Sequence, residues 1–222
     1  RDEVKRASYE ISANGGNFTV KDKGVSYKGK TFQLSDGSLV RYYVNSVGAH
    51  ITNIQFSRSA GTMLKIPPTI GGVDIISIKD RALRFAGRPS LSIEIPEGVQ
   101  QIGNSAFDRT KFNKVTIPST VKRIGSHCFS GARIRSLHFK GSPPIMGSGN
   151  IGLKETTLFY DPNQKGWTED FISRMKSKVA SIRSMESGTL ERLIETETNS
   201  ADRIRDEDFS EASALFRLKR YG

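Results

Sequence analysis

The chain has 222 residues, 36% of them hydrophobic, with a mean hydropathy of −0.43 and one cysteine. No run reaches the roughly 18 to 20 apolar residues that cross a bilayer, and a lone thiol excludes an intrachain disulfide and a four-thiolate metal site. The formal charge of +11 lies before Thr168, because the stretch from there to Gly222 holds 10 Lys and Arg against 11 Asp and Glu; a cationic body of this kind suits nucleic acid, an anionic surface or an acidic protein face.

The opening residues, Arg1 to Arg6, lack the apolar stretch of a secretory signal, and since the numbering starts at Arg, removal of a leader or upstream region stays open. Residues 1–49 read as a β-rich N-terminal cap. Asn17-Phe18-Thr19-Val20-Lys21 and Gly37-Ser38-Leu39-Val40-Arg41-Tyr42-Tyr43-Val44 alternate between Gly and Asp turns, as short antiparallel strands do. Gly24-Val25-Ser26-Tyr27-Lys28-Gly29-Lys30-Thr31 matches the P-loop pattern letter for letter. A phosphate site also needs a buried strand before the loop and a helix starting at Lys30-Thr31. The flanks alternate like strands instead, so the match reads as a glycine-punctuated hairpin, and no cofactor is expected.

Residues 50–167 carry an internal repeat. Ile95-Pro96, Val99, Ile102-Gly103 and Ala106-Phe107 recur as Ile117-Pro118, Val121, Ile124-Gly125 and Cys128-Phe129, each offset by 22. A looser unit begins at Ile66-Pro67, 29 residues before Ile95, with Val73, Ile76, Ile78, Ala82 and Leu83, and so holds an insertion. A last unit runs from Leu137 and Phe139 through Gly141 and Pro143-Pro144 to Leu158-Phe159-Tyr160 and Trp167, where the pattern decays. A period of 22 is too short for a helix pair and fits one coil of a β-solenoid. Proline ends each strand after its apolar residue, and the glycine relieves a corner where a Cβ would clash or φ is positive. Cys128 takes the place of Ala106, a core position.

These units resemble the BspA-like, or Treponema-type, leucine-rich repeats. The resemblance implies a mainly β, right-handed leucine-rich-repeat solenoid with a binding role, common among bacterial surface and adhesion proteins, and it transfers no catalytic residue. A secreted or cell-surface location follows from it as an expectation, with an internal assembly role as the other option.

Residues 168–222 read as a helical tail. Phe171, Met175, Val179 and Ile182 recur at three or four residues behind a Thr168 cap. Leu190, Leu193 and Ile194 form a second stretch, and Phe209 to Leu218 a third. Its end, Leu215, Phe216, Leu218 and Tyr221 among Arg217, Lys219 and Arg220, is amphipathic and suits docking on a partner, on a second subunit or on the protein itself.

His50, His127 and His138 lack ligand or triad spacing, and Cys128 beside His127 points the other way from it in a strand or turn. Glu94, Thr116 and His138 occupy equivalent places, a variability that suits a surface row. The reading is a non-enzymatic protein-protein interaction or adhesion module. Its candidate basic face is Lys114, Lys122, Arg123, Arg133, Arg135 and Lys140, with another protein or an anionic surface as partner. The alternatives are a structural assembly subunit, for example of a bacterial virus particle, anchored and oligomerised through the C-terminal helices, and a basic nucleic-acid-binding protein, for which interleaved aromatics are lacking.

Overall fold

Each coil between residues 63 and 146 sends one strand to each of two sheets, and the 22-residue offset becomes strand register. The computed structural model describes residues 9–14, 17–59, 61–149 and 153–184. The strands before the repeat are β1 (Tyr9–Asn14), β2 (Asn17–Asp22), β3 (Val25–Lys28), β4 (Lys30–Gln33), β5 (Leu39–Val44) and β6 (Ala49–Gln55). The coils supply β7 (Met63–Lys65), β8 (Thr69–Ile70), β9 (Val73–Ile78), β10 (Ser92–Glu94), β11 (Gln101–Ile102), β12 (Lys111–Ile117), β13 (Arg123–Ile124), β14 (Arg133–Phe139), β15 (Ile145–Met146) and β16 (Leu153–Tyr160). Helix α1 (Glu169–Lys176) and β17 (Val179–Ser184) follow.

One sheet is wholly parallel, in the order β7-β10-β12-β14-β16-β17. The other runs β6-β9-β11-β13-β15 in parallel and continues through antiparallel β5 and β4. Val115 faces Leu137, Ile117 faces Phe139 and Ile102 faces Ile124. The apolar residues of the repeat fill the space between the sheets: Ile95, Val99, Ile102, Phe107, Ile117, Val121, Ile124, Cys128 and Phe129 are all at most 3% exposed. The rings of Phe107 and Phe129 lie 5.5 Å apart.

The third side of the coil is built from left-handed corners. Arg81, Ser105, His127 and Gly149 form one row of positive φ, and Phe85, Arg109 and Gly131 a second. Non-glycine residues fill most of these places, which costs backbone energy. Amides at these corners donate to the next coil, as Leu83 N–H does to Ala106 O (2.9 Å) and Phe107 N–H to Cys128 O (2.8 Å). Gly103 and Gly125, by contrast, are needed for close approach. A Cβ on Gly103 would lie 2.4 Å from the Asp80 amide nitrogen, and one on Gly125 2.5 Å from that of Asn104.

The insertion in the first unit is a hairpin. Ile70 pairs with Val73 across Gly71-Gly72, at φ 58° and 78°, the backbone of a two-residue type I′ turn. It bulges out without breaking register, since Ser92 still faces Met63 and Glu94 still faces Lys65.

The N-terminal strands are antiparallel, as their alternation predicts, and fall in two sheets, β1-β2-β3 and the β4-β5-β6 end of the solenoid sheet. The P-loop match spans β3 and the start of β4, so Lys30 and Thr31 sit on a strand where phosphate binding needs a helix start. The C-terminal expectation is corrected in part. Thr168 caps α1, its hydroxyl accepting from the Phe171 N–H at 3.2 Å, but the helix stops at Lys176. Val179 and Ile182 lie on β17 instead, with Leu158 facing Ile182: β-branched residues beside an open strand edge extend the sheet. Among the described residues α1 is the one helix. The stretches holding Leu190 and Ile194, and Leu215, Phe216, Leu218 and Tyr221, lie outside the described residues.

Candidate functional site

Alternate side chains of a strand face opposite sides of its sheet. On the six-stranded sheet Ile93, Val115, Leu137 and Leu158 face the core, which turns their neighbours outward. Two rows result. Ser92, Lys114, Ser136, Thr157 and Ser181 form one, and Glu94, Thr116, His138, Phe159 and Arg183 the other.

The middle of this outer face is shielded from water. Ser92, Thr116 and His138 are buried, and Lys114 is only 3% exposed. Lys140 reaches back past the Thr116 coil to Glu94, Nζ to Oε1 at 2.9 Å. The His138 ring stacks on Phe159 at 4.5 Å, and its buried Nδ1 has no hydrogen-bond partner. Burial, and then the Lys114 ammonium, push His138 down to about 3, so the ring stays neutral. What the face leaves half-buried is the hydroxyls of Ser136, Thr157 and Ser181, the Phe159 ring and Lys140, while the His138 imidazole and the Lys114 ammonium are buried within it.

Of the six basic residues singled out by sequence, four belong to this sheet. Arg133 faces Lys111 on the adjacent strand, Arg135 lies two residues along β14, Lys114 faces Ser136, and Lys140 follows β14 directly. Lys122 stands beside Arg123, which is on β13 of the other sheet. One surface therefore does not hold all six. Glu94, Thr116 and His138 do align in one row, but Thr116 and His138 are buried, so the row is not the surface row that its variability suggests. The alignment of Ser92, Ser136 and Thr157 is not visible in the sequence, since hydroxyls in a strand carry no signal until register is known.

A second polar cluster joins the N-terminal strands to the solenoid. His50 Nδ1 lies 2.7 Å from Ser77 Oγ, and the Tyr43 hydroxyl donates to Asp22 Oδ2, which Lys79 Nζ also approaches at 3.0 Å. Tyr43 stacks between Tyr27 and His50. Burial, and then Lys79, push His50 down to about 4. Burial works against the Asp22 charge, but Tyr43 and Lys79 prevail and hold its carboxyl below the ordinary value. Asp22, His50 and Ser77 are at most 8% exposed, so the cluster is a polar joint between sheets.

Cys128 is fully buried, and burial pushes its thiol up to about 12, while His127 beside it is exposed. The two therefore point apart. Among the described residues no group of His, Cys, Asp and Glu is arranged to hold a metal ion, and no helix is long and apolar enough to cross a membrane.

Residues 76–149 match the family model described as "BspA type Leucine rich repeat region (6 copies)". No curated protein matches the chain. Among solved structures, a leucine rich cell surface protein of Faecalibacterium prausnitzii A2-165 is 19% identical over 71% of this chain and 43% of its own, with a TM-score of 0.42. A leucine-rich repeat protein of Bacteroides ovatus is 16% identical over 60% of this chain and 38% of its own, with a TM-score of 0.32. The pneumococcal vaccine antigen PcpA is 13% identical over 72% and 51%, with a TM-score of 0.29. The chain spans 38% to 51% of the lengths of these three structures.

Proposed function

We propose, on the premise that residues 76–149 belong to the BspA-type leucine-rich-repeat family, that the protein is a non-catalytic module that binds other proteins, as in adhesion, through the outer face of its six-stranded sheet. The observation that carries this reading is the pair of in-register rows across that face, in which chemically different side chains replace one another from coil to coil. Core positions keep one chemistry because every coil needs the same filling, whereas an outward row that varies can match a partner through its exposed or half-buried members, Ser136, Thr157, Phe159 and Arg183, while Lys114, Thr116 and His138 stay buried. Lys111, Arg133 and Arg135 are exposed at one end of the strands, and Glu94, toward the other end, is engaged by Lys140, so the complementary partner surface is acidic. The single aromatic in the two rows, Phe159, lies under His138, which favours a protein face over stacked bases.

Residues 1–49 serve as the cover of the first solenoid edge in this reading, supported by antiparallel β5 and β4 beyond β6. The test compares partner retention by the full chain, by Arg133→Glu with Arg135→Glu, and by Lys21→Glu on β2 as control. A partner held at low salt by the first and third and lost by the second supports the sheet face. Equal retention by all three, unaffected by salt, overturns it.

A further inference from the structure

The second solenoid sheet ends at β15. Each parallel strand from β9 to β13 has a successor, but after Tyr160 the chain builds α1 instead, and no described strand pairs with the outer side of β15. The Ile145 N–H donates to Lys122 O at 2.9 Å and the Gly147 N–H to Ile124 O at 2.8 Å. Alternation along a strand then turns the N–H and C=O of Met146 away from β13, toward the open side.

A groove of about 470 Å³ lies there, between β15 and α1. Pro144, Met146, Phe171 and Met175 give it an apolar lining, and Arg174 and Lys178 contribute charge. Ile145 beside it is 66% exposed. Arg174 touches Asp170 at 3.2 Å in an exposed pair of the kind that contributes little and exchanges readily. Lys178 has no acidic partner among the described residues. A strand edge that no described strand pairs, an apolar floor and two cations have one complement: a strand whose backbone pairs with Met146, whose apolar side chains enter the groove, and whose carboxylates meet Arg174 and Lys178.

We infer that β15 and α1 form a docking groove for an extended segment of another protein that alternates apolar and acidic residues. The groove is separate from the outer face of the six-stranded sheet and does not depend on that face binding anything.

The probe is a fluorescein-labelled peptide alternating valine and glutamate, titrated against the full chain by polarisation. Saturable binding is expected, weakened about tenfold or more by Arg174→Glu with Lys178→Glu and by N-methylation of the peptide amides, which removes its strand donors. Met146→Pro, checked for folding by circular dichroism, should weaken binding similarly, and Met146→Ile should preserve it. No saturable binding, equal binding of a valine–lysine peptide, or loss on Arg133→Glu with Arg135→Glu but not on Arg174→Glu with Lys178→Glu overturns the inference. A photo-crosslinker at position 145 that captures the same chain or a second copy in the absence of peptide also overturns it, because the groove then has another occupant. The sheet-face reading stands or falls separately, on the Arg133 and Arg135 variants and their own partner.

Discussion

The coils from Ile95 to Phe139 and the last coil, from Leu153 to Ser184, add rungs to the same sheet by different means. In the regular coils each apolar residue has an equivalent 22 positions away, and the stack follows from matching shapes. In the last coil the repeat is gone. The chain turns, inserts Trp167 against Phe139, Tyr160 and Phe171 with its indole N–H on Gly141 O, forms α1, and only then lays β17 beside β16 in parallel. A finished strand edge thus recruits a neighbour from sequence that does not repeat, because its unpaired backbone groups need partners.

That contrast is broken most strongly inside the regular coils. Phe107→Ala or Phe129→Ala removes a ring that is at most 1% exposed and should cost about 3 to 5 kcal/mol in urea melts. Ile182→Ala, half-buried on the outermost strand, should cost about 1 kcal/mol. Equal losses would erase the distinction between the two regions. Gly125→Ala comes next, at about 1 to 3 kcal/mol, because the new methyl meets backbone rather than a yielding side chain. Gly24→Ala, with open space around it but φ at 84°, should cost about 1 kcal/mol.

Acid sharpens the comparison between the repeat and its N-terminal joint. His138 and His50 titrate near 3 and 4 when folded and near 6.5 when unfolded, so the unfolded chain takes up protons first. Stability should be flat above about pH 7 and fall as pH drops below about 6.5 through the folded values. Denaturant melts across that range should be less steep in pH for His138→Asn and for His50→Asn, and an unchanged slope in both would refute the account. Asp22, held below the ordinary carboxylate value, adds its loss only at more acidic pH. The smallest effect is that of Lys140→Ala, which breaks a partly exposed link between coils and should cost less than about 1 kcal/mol.

The repeat was legible because its signals are local and redundant: Ile-Pro, Ile-Gly and a small residue before Phe mark strand end, close approach and core in each coil. The left-handed corners were not, since Arg81, Ser105 and His127 share no side-chain chemistry and are placed there by the inter-coil hydrogen bonds. Val179 and Ile182 misled for a related reason. Their spacing of three from each other and of four and seven from Met175 fits a helix, and only the waiting edge of β16 decides otherwise. At the candidate site charge was visible and placement was not: Lys122 and Arg123 look contiguous with Lys114 in sequence, but the turn at Pro118 carries them to another sheet.

The left-handed side of the coil also has an electrical direction. Arg81, Leu83 and Phe85 donate their amides to the carbonyls of Asn104, Ala106 and Asp108, and Ser105, Phe107 and Arg109 donate to those of Ser126, Cys128 and Ser130. Successive peptide dipoles are therefore aligned along the solenoid axis, as they are along an α-helix, but with the N–H ends pointing toward the C-terminal coils. This alignment belongs to that side of the coil alone, since the amides of Gly103, Gly125 and Gly147 donate back to Ile78, Ile102 and Ile124, so the two sides carry opposed dipoles and the stack as a whole has little net polarity.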